Sequence, residues 1–222
     1  MNKIIVEVSI GELLDKISIL EIKKEKIKDT EKLKFINNEH SILRDQLEYN
    51  VKYDDKLKKL YQSLKEINSK LWLIEDEKRL CEKEKDFGEK FIKLSRDVHF
   101  LNDDRAKIKL EINNHTGSKI KDKEKLKFIN NEHSVLKDQL EKNVKSDEKL
   151  ERLYQSLKEI NSKLWLIEDE KRLCEKKKDF GEKFIKLSRD VHFLNDDRAK
   201  IKLEINNHTG SKIKEIKEYT KY

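Results

Sequence analysis

Apolar residues recur along this chain at alternating steps of three and four, the spacing that lines up one face of an α-helix. Over residues 10–28 the seam reads Ile10, Leu13, Ile17, Leu20 and Ile27, with Lys24 as the interruption. A second seam, over residues 30–51, carries Leu33, Ile36, His40, Leu43 and Leu47. The third and longest, over residues 54–85, places Leu57, Leu60, Leu64, Ile67, Leu71, Ile74 and Cys81 at heptad positions, with Lys78 as its polar exception. A fourth runs to residue 115 through Phe91, Leu94, Val98, Leu101, Arg105, Ile108 and Ile112.

Local signals bound these elements. Ser9-Ile10-Gly11-Glu12 has the form of a capping box, Asp86-Phe87-Gly88-Glu89 marks a second helix start, and Thr116-Gly117 gives a glycine stop. The connection after residue 85 is so short that the third and fourth helices must pack antiparallel. Ahead of the first helix, residues 4–8 are rich in β-branched side chains and read as a short extended segment or strand.

The whole pattern then returns. Residues 29–121 recur as residues 122–214 at a constant offset of 93, with nine differing positions and none between 85 and 121. Self-similarity this close is the duplication of one structural unit. It predicts helices near 123–144, 147–178 and 181–208, but nothing that repeats residues 1–28. The expected organisation is a complete four-helix unit at 1–121, a three-helix unit at 122–214 and a basic tail at 215–222. Removing one 93-residue copy leaves a parent of 129 residues. The expected fold is all-α: antiparallel helical hairpins or bundles with coiled-coil-like packing, tandem duplicated.

Composition agrees. The chain has no proline, five glycines and 44% charged residues, which suits long helices with broad solvated faces. The regular apolar spacing argues against disorder in so charged a chain. The net charge is +7, but lysines and acids are interleaved, so no basic stripe for phosphates forms and nucleic acid ranks last among partners. Cys81 and Cys174 are the same position in the two copies and offer no disulfide framework. No 18-residue apolar run spans a membrane, and the N-terminus is unlike a secretory signal, so a reduced cytoplasm is the expected setting.

Catalytic signatures are missing: there is no glycine-rich phosphate loop, no nucleophile elbow and no His-Glu-x-x-His helix. No catalytic residue, metal ligand or cofactor is assigned. What remains is a polar cluster on packed faces. Trp72, Glu75, Asp76 and Arg79 share one face of the third helix, while His99, Asn102 and Arg105 lie within two turns of the fourth. A seam arginine is costly unless paired, and Glu75 or Asp76 is the expected partner. The cluster either fixes helix register or, with Glu12 and Lys16 nearby, lines a ligand pocket. Its repeat equivalents are Trp165, Glu168, Asp169, Arg172, Asn195 and Arg198. His40 reads as a packed histidine, Glu12 as half of its capping box, and Asp15, Lys16 and Glu21 as ordinary surface charges.

The run Val8-Ser9-Ile10-Gly11-Glu12-Leu13-Leu14-Asp15-Lys16-Ile17, continued by Leu20-Glu21-Ile22-Lys23, resembles the opening of a small bacterial family of unknown function about 130 residues long. Three later segments resemble the same family in order: residues 71–76, residues 86–88 with Phe91-Ile92, and residues 102–106. The resemblance covers the whole parent unit. It implies an α-helical domain and no established activity, and it carries over no catalytic residue. The duplication departs from the family pattern and leaves the second copy without a Gly11–Lys16 segment.

Two classes of function follow. The leading one is a non-enzymatic helical interaction or scaffold module that self-associates, its incomplete copy binding a helix like residues 10–27. The alternative is a small-molecule-binding protein or enzyme built on the polar cluster.

Overall fold

A computed structural model describes residues 6–118, 141–144 and 146–211. Its helices are α1 (Ile10–Lys26), α2 (Thr30–Asn50), α3 (Asp55–Glu84), α4 (Glu89–His115), α5 (Glu148–Lys177) and α6 (Glu182–His208). The protein is all-α, and no strand occurs among the described residues. Val6 and Val8, from the expected extended segment, precede α1 outside any helix or strand and are exposed; Ile4 and Ile5 lie outside the described residues. So do most of the second-helix repeat and the basic tail.

The helix ends follow from particular side chains. Ser9 caps α1 by accepting the Glu12 N–H at 3.2 Å, and Asp29 caps α2 by accepting from the N–H groups of Glu31 and Lys32. Asp54 and its repeat Asp147 cap α3 and α5 by accepting from Leu57 and Leu150, each at 2.8 Å. Each aspartate also meets the histidine that ends the antiparallel neighbour: His115 Nε2 lies 2.9 Å from Asp54, and His208 Nε2 lies 2.8 Å from Asp147. The open end of both hairpins is thereby tied in the same way. Gly117 and Gly210 end their helices at φ +66°, where a Cβ would be strained.

The chain folds as two compact units that are cut differently from the sequence repeats. The first comprises Met1–Trp72 with Phe100–Lys145, and the second comprises Leu73–His99 with Ser146–Tyr222. Thus α3 and α4 give their open ends to the first unit and the tip of their hairpin to the second. In the first unit, Leu13, Leu14 and Ile17 of α1 are buried with Leu47, Leu57, Leu64 and Ile112, one core drawn from all four helices. Each such side chain contributes about 1.5–3 kcal/mol by leaving water.

The second unit has a doubled core. Cys81, Phe91 and Leu94 form one cluster that is closed by Ile185, and Cys174, Phe184 and Leu187 form its repeat, closed by Ile92. Each hairpin tip completes the core of the other.

Candidate functional site

The most polar buried ground in the first unit lies beneath α1. Gly11 begins it: a Cβ there would fall 2.6 Å from the Lys109 carbonyl oxygen and 3.0 Å from Asn113 Oδ1. Only glycine lets α1 come this close to α4, and the Gly11 N–H donates to Asn113 Oδ1 at 2.7 Å. One turn on, the Asp15 carboxylate accepts from Arg105 Nε at 2.9 Å, from Arg105 Nη2 at 2.8 Å and from Asn68 Nδ2 at 2.8 Å. Asn68 Nδ2 also lies 2.8 Å from Ser18 Oγ, whose hydroxyl donates to the Asp15 carbonyl. A single carboxylate thus ties α1 to α3 and α4.

These contacts revise the sequence expectations. Arg105 is paired, and its partner is Asp15 rather than Glu75 or Asp76. Asp15 is buried, not a surface charge, because its acceptor oxygens are matched by three donors. The Glu12 carboxylate goes to Lys109 Nζ instead of turning back on the helix start. Exposed Lys16 lies 2.7 Å from the buried carboxylate of Glu39.

A second polar group sits further along α1. Lys65 Nζ lies 3.0 Å from Glu21 and 3.2 Å from Glu25, and His40 Nε2 lies 3.6 Å from Glu21. Burial alone would push the Glu21 carboxyl up, but Lys65, Tyr61 and His40 outweigh it and hold that carboxyl below its usual range. His40 is held low chiefly by burial and then by Lys24, against the pull of Glu21. The expectation of a packed histidine describes His40, whereas Glu21 belongs to a network.

The polar cluster named from sequence is divided between the units. Glu12, Lys16, Trp72, Asn102 and Arg105 belong to the first, with Asn102 Oδ1 accepting from Arg105 Nη1 at 3.1 Å. Glu75, Asp76 and Arg79 belong to the second, together with Trp165, Glu168, Asp169, Arg172, Asn195 and Arg198. There Arg79 makes a two-pronged pair with Asp196, at 3.1 and 2.9 Å. Glu75 lies 3.7 Å from Lys78 and 3.8 Å from His192 Nδ1. Burial raises the Glu75 carboxyl, but Lys78, His192 and Arg79 hold it down to about 2. Lys78 and Lys171 are both buried, and Lys171 is pushed below its ordinary value by burial and by Lys78. Glu168 is beside Lys171 at 3.3 Å. Asp169 and Arg172 are exposed, while Asn195 and Arg198 are half-buried.

The second copy presents the residues of the α1 seat in another state. Leu64 is fully buried against α1, but its repeat Leu157 is only half-buried. Trp72 is half-buried, whereas Trp165 is 72% exposed. Tyr154, Leu157, Lys158, Asn161, Trp165 and Leu166 line an open groove of about 550 Å³ on α5. Sequence reasoning saw the missing helix but not the seat itself, meaning Gly11, Asp15, Asn68 and Asn113. The available signal was a glycine in the first turn of a helix, where glycine is otherwise unfavourable.

Among the described residues, no helix is long and apolar enough to cross a membrane. Compared with known proteins, residues 4–128 match a family described as "Family of unknown function (DUF6165)". No curated protein and no solved structure matches the chain.

Proposed function

We propose that this chain, which belongs to the family of unknown function DUF6165, works by binding helices and not by catalysis. The second copy is a seat for a helix of the α1 type, supplied by another molecule of the same chain. The observation that carries this reading is the contrast between Trp165, 72% exposed, and its half-buried repeat Trp72. The two seats share Leu57, Leu64, Asn68, Trp72 and Arg105 as Leu150, Leu157, Asn161, Trp165 and Arg198, with Ser146 in place of Tyr53, but residues 1–28 are not repeated ahead of the second. An exposed patch containing Trp165, Leu166 and Tyr154 is the kind of surface that marks an interaction site. Charge chemistry fits the same occupant, because Asn161 and Arg198 repeat the two residues that hold Asp15.

Each chain carries one α1 and two seats, so helix exchange between chains leads to self-association. A cytoplasmic setting accompanies this reading, since the buried thiols of Cys81 and Cys174 are free. The ligand-pocket alternative gains less support. Arg105, which would line that pocket, is engaged by Asp15.

The test is titration of the full chain, in a Trp72→Phe background, with a synthetic peptide of residues 1–28. The Trp165 emission should shift to the blue and saturate at one peptide per chain. The same peptide carrying Asp15→Lys should bind at least about tenfold more weakly. Unchanged Trp165 emission at millimolar peptide, or equal binding of both peptides, defeats the proposal.

A further inference from the structure

We infer that the hairpin tip, residues 73–99, is a homotypic recognition surface whose partner is a second copy of the same tip, and that this chain has fused two such partners into one polypeptide. The inference does not depend on the α1 seat. It starts from sequence: residues 73–99 and 166–192 differ at a single position, Glu84 against Lys177, and both of those side chains are exposed. The contact between the tips therefore joins two copies of one surface.

Such a contact is self-complementary when residue i of one copy meets residue j of the other and j meets i. The two arginine–glutamate contacts between the tips obey this rule. Arg96 pairs with Glu175 through Nε at 2.8 Å and Nη2 at 2.7 Å. Arg189 pairs with Glu82 through Nε at 2.8 Å and Nη2 at 2.6 Å. In repeat numbering these are the same pair, read once in each direction. The guanidinium of Arg96 also lies 4.3 Å from the centre of the Phe180 ring, and that of Arg189 lies 4.3 Å from the centre of the Phe87 ring. The apolar contacts reciprocate too, with Ile185 closing the Cys81–Phe91–Leu94 cluster and Ile92 closing its repeat.

Nothing in these contacts requires the two tips to share a chain. A two-pronged arginine–carboxylate pair with the guanidinium over an aromatic ring is specific in direction and register. A tip carrying Glu82, Phe87, Ile92 and Arg96 offers all the groups its twin needs. Joining the copies raises the effective concentration of one tip about the other, so the contact closes within the chain.

Charge reversal separates the two routes. In the full chain, Glu175→Arg with Arg189→Glu sets like charges against Arg96 and Glu82 and blocks closure within the chain. The wild-type first-copy tips match one another, and so do the charge-reversed second-copy tips, so both are free to pair between molecules. Sedimentation equilibrium should then give at least twice the mass of the wild-type species at the same concentration. Adding Glu82→Arg and Arg96→Glu restores opposite charges within the chain, and the fourfold variant should return to the wild-type mass. The inference is overturned if the double variant keeps the wild-type mass or loses its helical circular dichroism. It is equally overturned if the fourfold variant fails to return.

Discussion

Arg105 and Asp15, 90 residues apart in sequence, are joined by two parallel hydrogen bonds of 2.9 and 2.8 Å. The Asp15 side chain is 5% exposed and that of Arg105 is 28% exposed, so the pair is only partly screened by water. Removing the arginine leaves a buried carboxylate with Asn68 as its remaining side-chain donor. Arg105→Ala should therefore cost about 3 kcal/mol. Arg198 is the same residue in the second copy, where no α1 precedes it. Arg198→Ala should stay within about 0.5 kcal/mol of wild type. Urea unfolding followed by circular dichroism compares the two directly, and equal losses would contradict the role given to Asp15.

The same comparison works for an apolar pair. Leu64 is fully buried and its repeat Leu157 is half-buried. Truncating a buried leucine removes its transfer energy and leaves a cavity, so Leu64→Ala should cost about 3 kcal/mol. Leu157→Ala, with less surface to lose, should cost about 1 kcal/mol on the same scale. A larger loss at Leu157 in denaturant titration would mean that the second seat is already filled.

Gly11 sets how near α1 approaches α4. A methyl group there would sit 2.6 Å from the Lys109 carbonyl oxygen, a backbone atom that cannot swing aside. Gly11→Ala should destabilise by about 1–3 kcal/mol, as other overpacked sites do. Gly88 is the control, because its nearest neighbour is the side-chain oxygen of Asp86 at 3.2 Å. Gly88→Ala should cost under about 1 kcal/mol. If the two thermal midpoints fall together, close approach at Gly11 is not what α1 needs.

Much of the helical architecture was legible before any coordinates, because the seam of Leu57, Leu64 and Leu71 and the stop at Gly117 depend on local periodicity and local caps. The partners of the polar residues were not legible. Periodicity places Arg105 in an apolar seam but cannot say which helix faces it, so it points to the carboxylates across the hairpin and not to Asp15. Asp15 itself looks like any surface acid in sequence, because its burial depends on Arg105 and Asn68 arriving from α4 and α3. The tip contact was hidden for a different reason. Glu82 and Arg96 have unremarkable spacing within one hairpin, and their meaning appears only when a second, near-identical hairpin lies against the first. The missing first helix of the second copy, by contrast, followed directly from where the repeat begins.

The network at Glu21 and His40 gives the fold a specific acid response. His40 is held below the ordinary histidine value of 6.5, so the unfolded chain takes up its proton first. Stability is then unaffected above that value and falls as pH drops from it through the folded-state pKa. Glu21, Glu175, Asp54 and Asp147 are held below their ordinary carboxyl values, and Glu75 is held down to about 2. Their contribution is fully present above pH 4.5 and is lost only as the pH falls below the carboxyl range. Two separate losses are expected on acidification, and the upper one belongs to His40. In His40→Gln the thermal midpoint should stay nearly level between pH 7 and pH 5.5, while the wild type declines and both proteins still fail together at lower pH. Parallel decline of wild type and variant across that upper interval would show that His40 titrates no differently in the folded chain than in the unfolded one.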